Sequence, residues 1–191
     1  MRVVSGKHGT EEYRSGKYAV FPTKAGWMGL VSNDKGICAS VLPRKTETEA
    51  RDGLFSLAGF IPDFSGSVFK EMEKLLQAYF RGEEVCLNCN LDWSWATPFQ
   101  KRVLETTALI PRGAFMTYGE LASQIGIPKG ARAVGGALAA NRIPAIIPCH
   151  RVIGAKGRLG GFTGAGLQLK AHMLEMEGVK LNLSSLTPEN K

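Results

Sequence analysis

The apolar pattern of this chain changes period once, near Ala96, and that change most restricts what the chain can fold into. Before it, Lys17–Pro22, Gly26–Ser32 and Ile37–Leu42 are short apolar-rich runs with the length of strands. Asn33-Asp34-Lys35-Gly36 lies between the last two and tolerates tight-turn geometry, so that pair reads as a hairpin. Thr46–Ala58 and Ser67–Arg81 have helical spacing. The second places Val68, Met72, Leu75, Leu76 and Tyr79 on one face and meets a stop at Gly82. Val85–Leu91 reads as a further strand, which makes residues 1–94 a small α+β unit.

After Ala96 the chain becomes helices joined by loops bearing Gly and Pro. Thr97-Pro98-Phe99-Gln100 combines a capping hydroxyl, Pro at the first helical position and Gln three residues after the cap, and opens a helix to about Leu109. Thr117-Tyr118-Gly119-Glu120 repeats the capping logic for a short helix ending near Gly126. The turn Ile127-Pro128-Lys129-Gly130 then leads into a helix over Ala131–Asn141. Two short helices across a tight turn describe a helix-turn-helix. The second carries Gly135 and Gly136 in its middle, each costing roughly 1 kcal/mol against Ala. Such a surface of small side chains suits close packing on a neighbouring helix, or close approach to a nucleic-acid backbone with Arg132 protruding and the helix N-terminus facing phosphate.

Lys and Arg total 24 against 17 Asp and Glu, a net charge of +7 that suits a polyanionic partner as well as an ordinary basic protein. No apolar run approaches the roughly 18 residues needed to cross a bilayer. The first ten residues lack the apolar core of a secretion signal, so a cytoplasmic protein is expected, nuclear if the source has a nucleus. Cys38, Cys86, Cys89 and Cys149 are too few and too unevenly spaced for a disulfide scaffold. Cys86-x-x-Cys89 is half of a zinc site to which Cys38 would add a third ligand. A full ligand set is not evident, His8 being the only spare histidine nearby, and no metal is expected.

The chemistry concentrates in Ile147-Pro148-Cys149-His150-Arg151-Val152-Ile153. A Cys beside a His suggests an activated thiol, because the thiolate is the nucleophile and an imidazole can take its proton. Adjacent residues of extended chain point to opposite faces, so contact requires a turn at Pro148 or a bridging water. Buried cysteines are common, and the pair alone does not establish catalysis. Arg151 reads as a structural ion-pair partner; His8 and His172 have no evident one.

Asn141-Arg142-Ile143-Pro144-Ala145-Ile146-Ile147-Pro148-Cys149-His150-Arg151-Val152-Ile153-Gly154, following Arg132-Ala133-Val134-Gly135-Gly136-Ala137, resembles the methylated-DNA–protein-cysteine methyltransferases, also called O6-alkylguanine-DNA alkyltransferases. The resemblance covers about Thr97 to Val179; the first half matches only in its general α+β arrangement. It implies a ribonuclease-H-like α/β domain over 1–94 and a mostly helical domain with the helix-turn-helix over 95–191. It further implies irreversible, stoichiometric transfer of an alkyl group from O6 of guanine, and O4 of thymine, in double-stranded DNA to Cys149. No cofactor, no membrane and a monomer are expected. His150 matches the family's general base, acting through a water, and Glu177 the carboxylate that orients it, although its place in the last helical turn before Gly178 reads as exposed. Asn141 matches the residue that braces the active-site turn. Tyr118 matches the tyrosine that assists phosphate rotation and approaches the guanine, and Arg132 the arginine that fills the stack left by a flipped nucleotide. Gln100, Gly119, Ala133, Gly135, Gly136 and Ala155 fall where the family meets DNA. Pro144, Phe162 and Thr163 fall on the substrate pocket; Phe162 stands where some members have Tyr, and one extra residue near Ala165 shifts the loop's alignment by about one position.

Three other readings remain at this level. A non-catalytic relative that recognises alkylated bases carries Trp where this chain has Cys149. A helix-turn-helix regulator would prefer a DNA sequence over a lesion. A Cys-His hydrolase would turn over repeatedly.

Overall fold

A computed structural model describes residues 16–58, 63–162 and 166–180, and it is a mixed α+β structure. The three apolar runs of the first half form an antiparallel meander: β1 (Lys17–Thr23), β2 (Gly26–Asn33) and β3 (Gly36–Arg44). Asn33 pairs with Gly36 across the β2–β3 turn, and the Asn33 side chain accepts from the Lys35 amide at 2.9 Å. A two-residue strand that sequence reading missed, β4 (Asp63–Phe64), runs parallel to β1, giving the order β3-β2-β1-β4.

Alternation along the strands gives the sheet two apolar faces. Tyr18, Val20, Trp27 and Val31 face α1 (Glu47–Ala58) and its buried Ala50 and Leu54. Ala19, Phe21, Met28 and Leu30 face the other way, toward α2 (Gly66–Phe80). The buried residues of α2 include Phe69, Met72, Leu76, Ala78, Tyr79 and Phe80. Val68, which the sequence pattern puts on that face, is instead 59% exposed, because the stripe runs through Phe69 at spacings of three and four.

Val85–Leu91 is not a strand. Its side chains alternate between half-buried and exposed, as expected of extended chain, but only Leu91 bridges the sheet, opposite Ile37. The contact amounts to the Ile37 amide donating to Asn90 O and the Asp92 amide to Ile37 O, both at 2.9 Å.

In the second half, α3 (Pro98–Ala108) and α4 (Tyr118–Gln124) both begin with complete capping boxes, Thr97 with Gln100 and Thr117 with Glu120. α5 (Ala131–Ala139) packs on α3 and α4 through Val134, Ala137 and Leu138. Two dipeptide strands, β5 (Met116–Thr117) and β6 (Val152–Ile153), pair in parallel and fix the chain on either side of the Cys149 segment; α6 (Gly166–Met176) closes the described fold. The largest buried cluster runs from Ala19 to Met173 and joins the α2 face of the sheet to α3, α4 and α5. Among the described residues no helix is long and apolar enough to cross a membrane.

Gly36 joins the hairpin to the segment before α3. It holds a φ of +135°, and a Cβ there would collide with the Asn90 carbonyl. Gly36→Ala is expected to cost at least about 1–3 kcal/mol of folding stability, from left-handed strain and displacement of the Asn90–Leu91 strap. Urea unfolding would read this as a lower midpoint with an unchanged slope, whereas an unchanged midpoint would show that the strap is not tied there.

Candidate active site

The segment from Asn141 to Arg151 is held by its own backbone. Asn141 Oδ1 accepts from the Ile143 amide at 2.9 Å and its Nδ2 donates to Ile147 O at 3.3 Å. From the sheet, Ser40 adds two bonds of 2.8 Å, its amide donating to Arg142 O and its hydroxyl to Pro144 O. Pro148 adopts φ −80°, ψ 60°, with the Cys149 amide donating to Ile147 O at 2.8 Å, an inverse γ-turn. Cys149–Arg151 then form one turn of 3-10 helix. The chain thus turns at Pro148, one of the two ways by which the neighbouring Cys149 and His150 could act together.

Behind that turn lies a buried polar network. His150 Nε2 stands 2.9 Å from Glu177 Oε1, and both side chains are wholly inaccessible to solvent. The same carboxylate accepts from Tyr79 Oη at 2.7 Å and from Arg151 through Nε and Nη2, each at 2.9 Å. Burial alone would raise the Glu177 pKa, but hydrogen bonds from His150 and Arg151 outweigh it and hold the carboxyl at about 2. An ionised carboxylate only accepts, so the His150 proton sits on Nε2. Nδ1 carries the free lone pair, is buried, and has no hydrogen-bond partner among the described residues. Burial depresses His150, against the pull of Glu177, so the resting imidazole is neutral. Glu177 is accordingly buried rather than exposed: it follows α6, and its amide still bonds back to Met173 O.

Cys149 is half-buried. Burial raises its thiol pKa, opposed by the Asn141 side chain and the charge of Lys170. It borders a cavity of about 830 Å³ whose wall includes Tyr118, Arg132, Asn141, Pro144 and Phe162. Gly119, Gly135 and Ala155 also line it, whereas Gln100, Ala133 and Gly136 do not. Gln100 is committed to capping α3, and Ala133 and Gly136 lie exposed on α5, as does Arg132 near its start. Thr163 lies outside the described residues.

One side of the cavity is organised by Lys170, which sequence reading missed. It is fully buried on α6 and donates to Val152 O and Leu159 O at 2.6 Å and to Gly161 O at 3.4 Å. Burial pulls its pKa down to about 8, with Cys149 opposing. Its ammonium stands 5.8 Å from the Phe162 ring centre and 5.9 Å from that of Tyr118. Tyr118 Oη donates to Gly161 O at 3.4 Å. A Cβ on Gly160, whose φ is +68°, would strike the Tyr118 ring, so this loop approaches the tyrosine closely only because it lacks one.

Cys38 is buried with its thiol toward Val31 O at 3.6 Å, while Cys86 is exposed. Among the described residues no group of three or more His, Cys, Asp or Glu side chains is placed to hold a metal ion. His8 lies outside them.

Residues 98–179 match the family model described as 6-O-methylguanine DNA methyltransferase, DNA binding domain. A methylated-DNA–protein-cysteine methyltransferase of Methanosarcina acetivorans is 38% identical over 84% of this chain and 97% of its own length. One from Mycobacterium leprae is 45% identical over 69% of this chain and 77% of its own. Among solved structures, the O6-methylguanine methyltransferase of Mycobacterium tuberculosis superposes with a TM-score of 0.69 at 35% identity, covering 92% of this chain and 96% of that one. A structure from the same organism in complex with DNA gives 0.69 at 36% identity over 84% and 92%.

The carboxylate and imidazole also predict how the fold responds to acid. Both pKa values are depressed on folding, so both groups stabilise the protein above their unfolded values and lose that contribution as protons bind. Stability should fall as pH drops below about 6.5, where His150 must charge, and again between about 4.5 and 2 as Glu177 protonates. Glu177→Gln should be less stable at neutral pH by about 3–5 kcal/mol, because it strands Arg151, with a flatter dependence on pH below 4.5. Denaturant unfolding at several pH values measures both slopes; equal acid slopes in the two proteins would contradict the assignment.

Proposed function

We propose that this chain, which belongs to the family of methylated-DNA–protein-cysteine methyltransferases, repairs DNA by taking the alkyl group of an O6-alkylguanine onto Cys149. One observation carries the reading: a half-buried thiol borders a cavity, next in sequence to a buried imidazole whose Nε2 is anchored by a carboxylate and whose Nδ1 has no partner among the described residues.

The target carbon lies on an exocyclic oxygen within stacked DNA, so the nucleotide must leave the duplex to reach Cys149. Arg132 occupies the vacated stack, and the α4–α5 pair acts as a helix-turn-helix against the groove. The glycines and alanines of α5 let the backbone approach, and Gly119 and Ala155 border the path. Gln100, Ala133 and Gly136 lie outside the cavity wall and serve, if at all, as contacts to the surrounding duplex.

The raised thiol pKa means that Cys149 rests protonated. His150 Nδ1 takes the thiol proton through a bridging water, and Glu177 stabilises the imidazolium. Sulfur attacks the alkyl carbon; the S–C bond forms as the C–O6 bond breaks, and the electron pair leaves with the purine. The Tyr118 hydroxyl, on the cavity wall, protonates the departing base. Asn141 braces the loop, Pro144 and Phe162 shape the base site, and by resemblance to the family Thr163 supplies a hydroxyl to the substrate oxygen. The same chemistry extends to O4 of thymine. A thioether has no easy hydrolytic exit, so each molecule acts once. The chain works as a monomer in the compartment that holds the DNA, with a ribonuclease-H-like unit over 1–94 and the active-site unit over 95–191.

Incubation with O6-methylguanine duplex should add one methyl mass to the Cys149 peptide, and Cys149→Ser should abolish transfer while leaving DNA binding within about threefold. Arg132→Ala should slow transfer, and raised salt should weaken binding because phosphate contacts release counterions. Repaired guanine without a modified Cys149 would defeat the proposal, as would an intact lesion beside an unreacted thiol.

A further inference from the structure

Glu177 has a donor that none of the active-site motif supplies. Tyr79 belongs to α2, in the first half of the chain, and is 2% exposed. Its hydroxyl stands 2.7 Å from Glu177 Oε1 and 3.2 Å from His150 Nε2. With the imidazole proton on Nε2 and the carboxylate ionised, both groups donate to the same oxygen; the 3.2 Å approach brings two donors together at one acceptor. The ring itself is held edge-on to Phe80 at 5.0 Å between centres and lies under the Arg112 guanidinium at 5.9 Å. Burial and the Glu177 charge keep the phenol firmly protonated, so it can only donate to that carboxylate.

We propose that Tyr79 is a positioning residue for alkyl transfer: its hydroxyl fixes Glu177 Oε1 against His150 and limits how strongly that carboxylate draws a proton onto the imidazole. This rests on the proposed function for its kinetic consequence, though not for its structural one. The charge environment leaves Tyr79 a distinct part to play. Around the His150–Glu177 pair stand Arg151 in the same 3-10 turn, Arg112 after α3, Lys170 on α6 and the Cys149 thiol. Arg151 and Lys170 disfavour an imidazolium by charge, and Arg151 also braces both carboxylate oxygens. Tyr79 is the neutral donor to the oxygen that faces His150. Removing its hydroxyl leaves every charge in place and returns electron density to Oε1, so His150 becomes more basic.

The test is Tyr79→Phe in the full chain, which keeps the packed ring. Single-turnover methyl transfer from an O6-methylguanine duplex is measured across pH, with duplex affinity and the His150 imidazole titration by NMR measured on both proteins. The acid limb of the rate profile and the imidazole titration should both move up by about one pH unit, with affinity unchanged. Loss of packing alone would lower stability and leave both titrations where they were. Profiles that superimpose, or move down, overturn the proposal. If the parent itself transfers nothing, the proposed function fails, and the imidazole titration alone then decides the role of Tyr79. Should Tyr79→Phe not fold, the parent decides. A slowly exchanging tyrosine hydroxyl proton in through-space contact with the His150 ring supports the placement, and its absence overturns it.

Discussion

The rest of the site depends on one buried carboxylate that is kept ionised. Glu177 accepts four hydrogen bonds, from His150, Tyr79 and twice from Arg151, and these more than offset the loss of water. Its charge determines which His150 nitrogen carries the proton and therefore which one can receive another. Arg151 continues the network outward, donating to Ile110 O at 2.5 Å just beyond α3. A single anion so ties α6, the 3-10 turn, α2 and the end of α3. Taking away one partner would leave the others buried and unmatched, which makes the network cooperative rather than additive.

That arrangement explains why the two halves of the chain share one main apolar cluster. The sheet contributes Ser40 to the backbone of the active-site loop, and α2 contributes Tyr79 to the carboxylate. In the proposed reaction none of the described residues of the first half serves as nucleophile or base, yet they hold the loop on one side and Glu177 on the other. The contribution of this half is geometric, acting through the Ser40 amide and hydroxyl and the Tyr79 hydroxyl.

Local signals in the sequence were legible wherever the physics is local. Both capping boxes, the Asn33–Gly36 hairpin and the turn before Cys149 rest on residues within four positions of one another, and each could be read from residue type and spacing. Val85–Leu91 shows the limit, because a run of strand length says nothing of whether a neighbouring strand lies within reach. Glu177 and Lys170 show another. Both are charged residues at helical spacings from Leu174, and a charge at such a spacing is usually solvated. Only the carbonyls of Val152 and Leu159, and the donors around Glu177, make their burial tolerable, and these come from distant segments. Tyr79 lies 98 positions from Glu177, and in a helix with an apolar stripe it reads as one more core aromatic.

If Cys149 is the acceptor, as proposed, a protein that reacts only once has reason to keep that thiol quiet until the right carbon arrives, and the electrostatics here have that character. Cys149 is pushed up and His150 down, both chiefly by burial, so the resting pair is thiol and neutral imidazole rather than an ion pair. A raised thiol pKa makes the thiolate rarer, which protects the sulfur from stray electrophiles and slows its reaction with the proper one, though by less than the loss of thiolate because a more basic thiolate is the better nucleophile. The compensation is positional. The charge of Lys170 favours a Cys149 thiolate and Glu177 favours a His150 imidazolium, so in the proposed transfer both are already in place. Preorganised charges of this kind act on the separated state and leave the neutral one alone. Reactivity is thereby gained at the moment of transfer without being present beforehand.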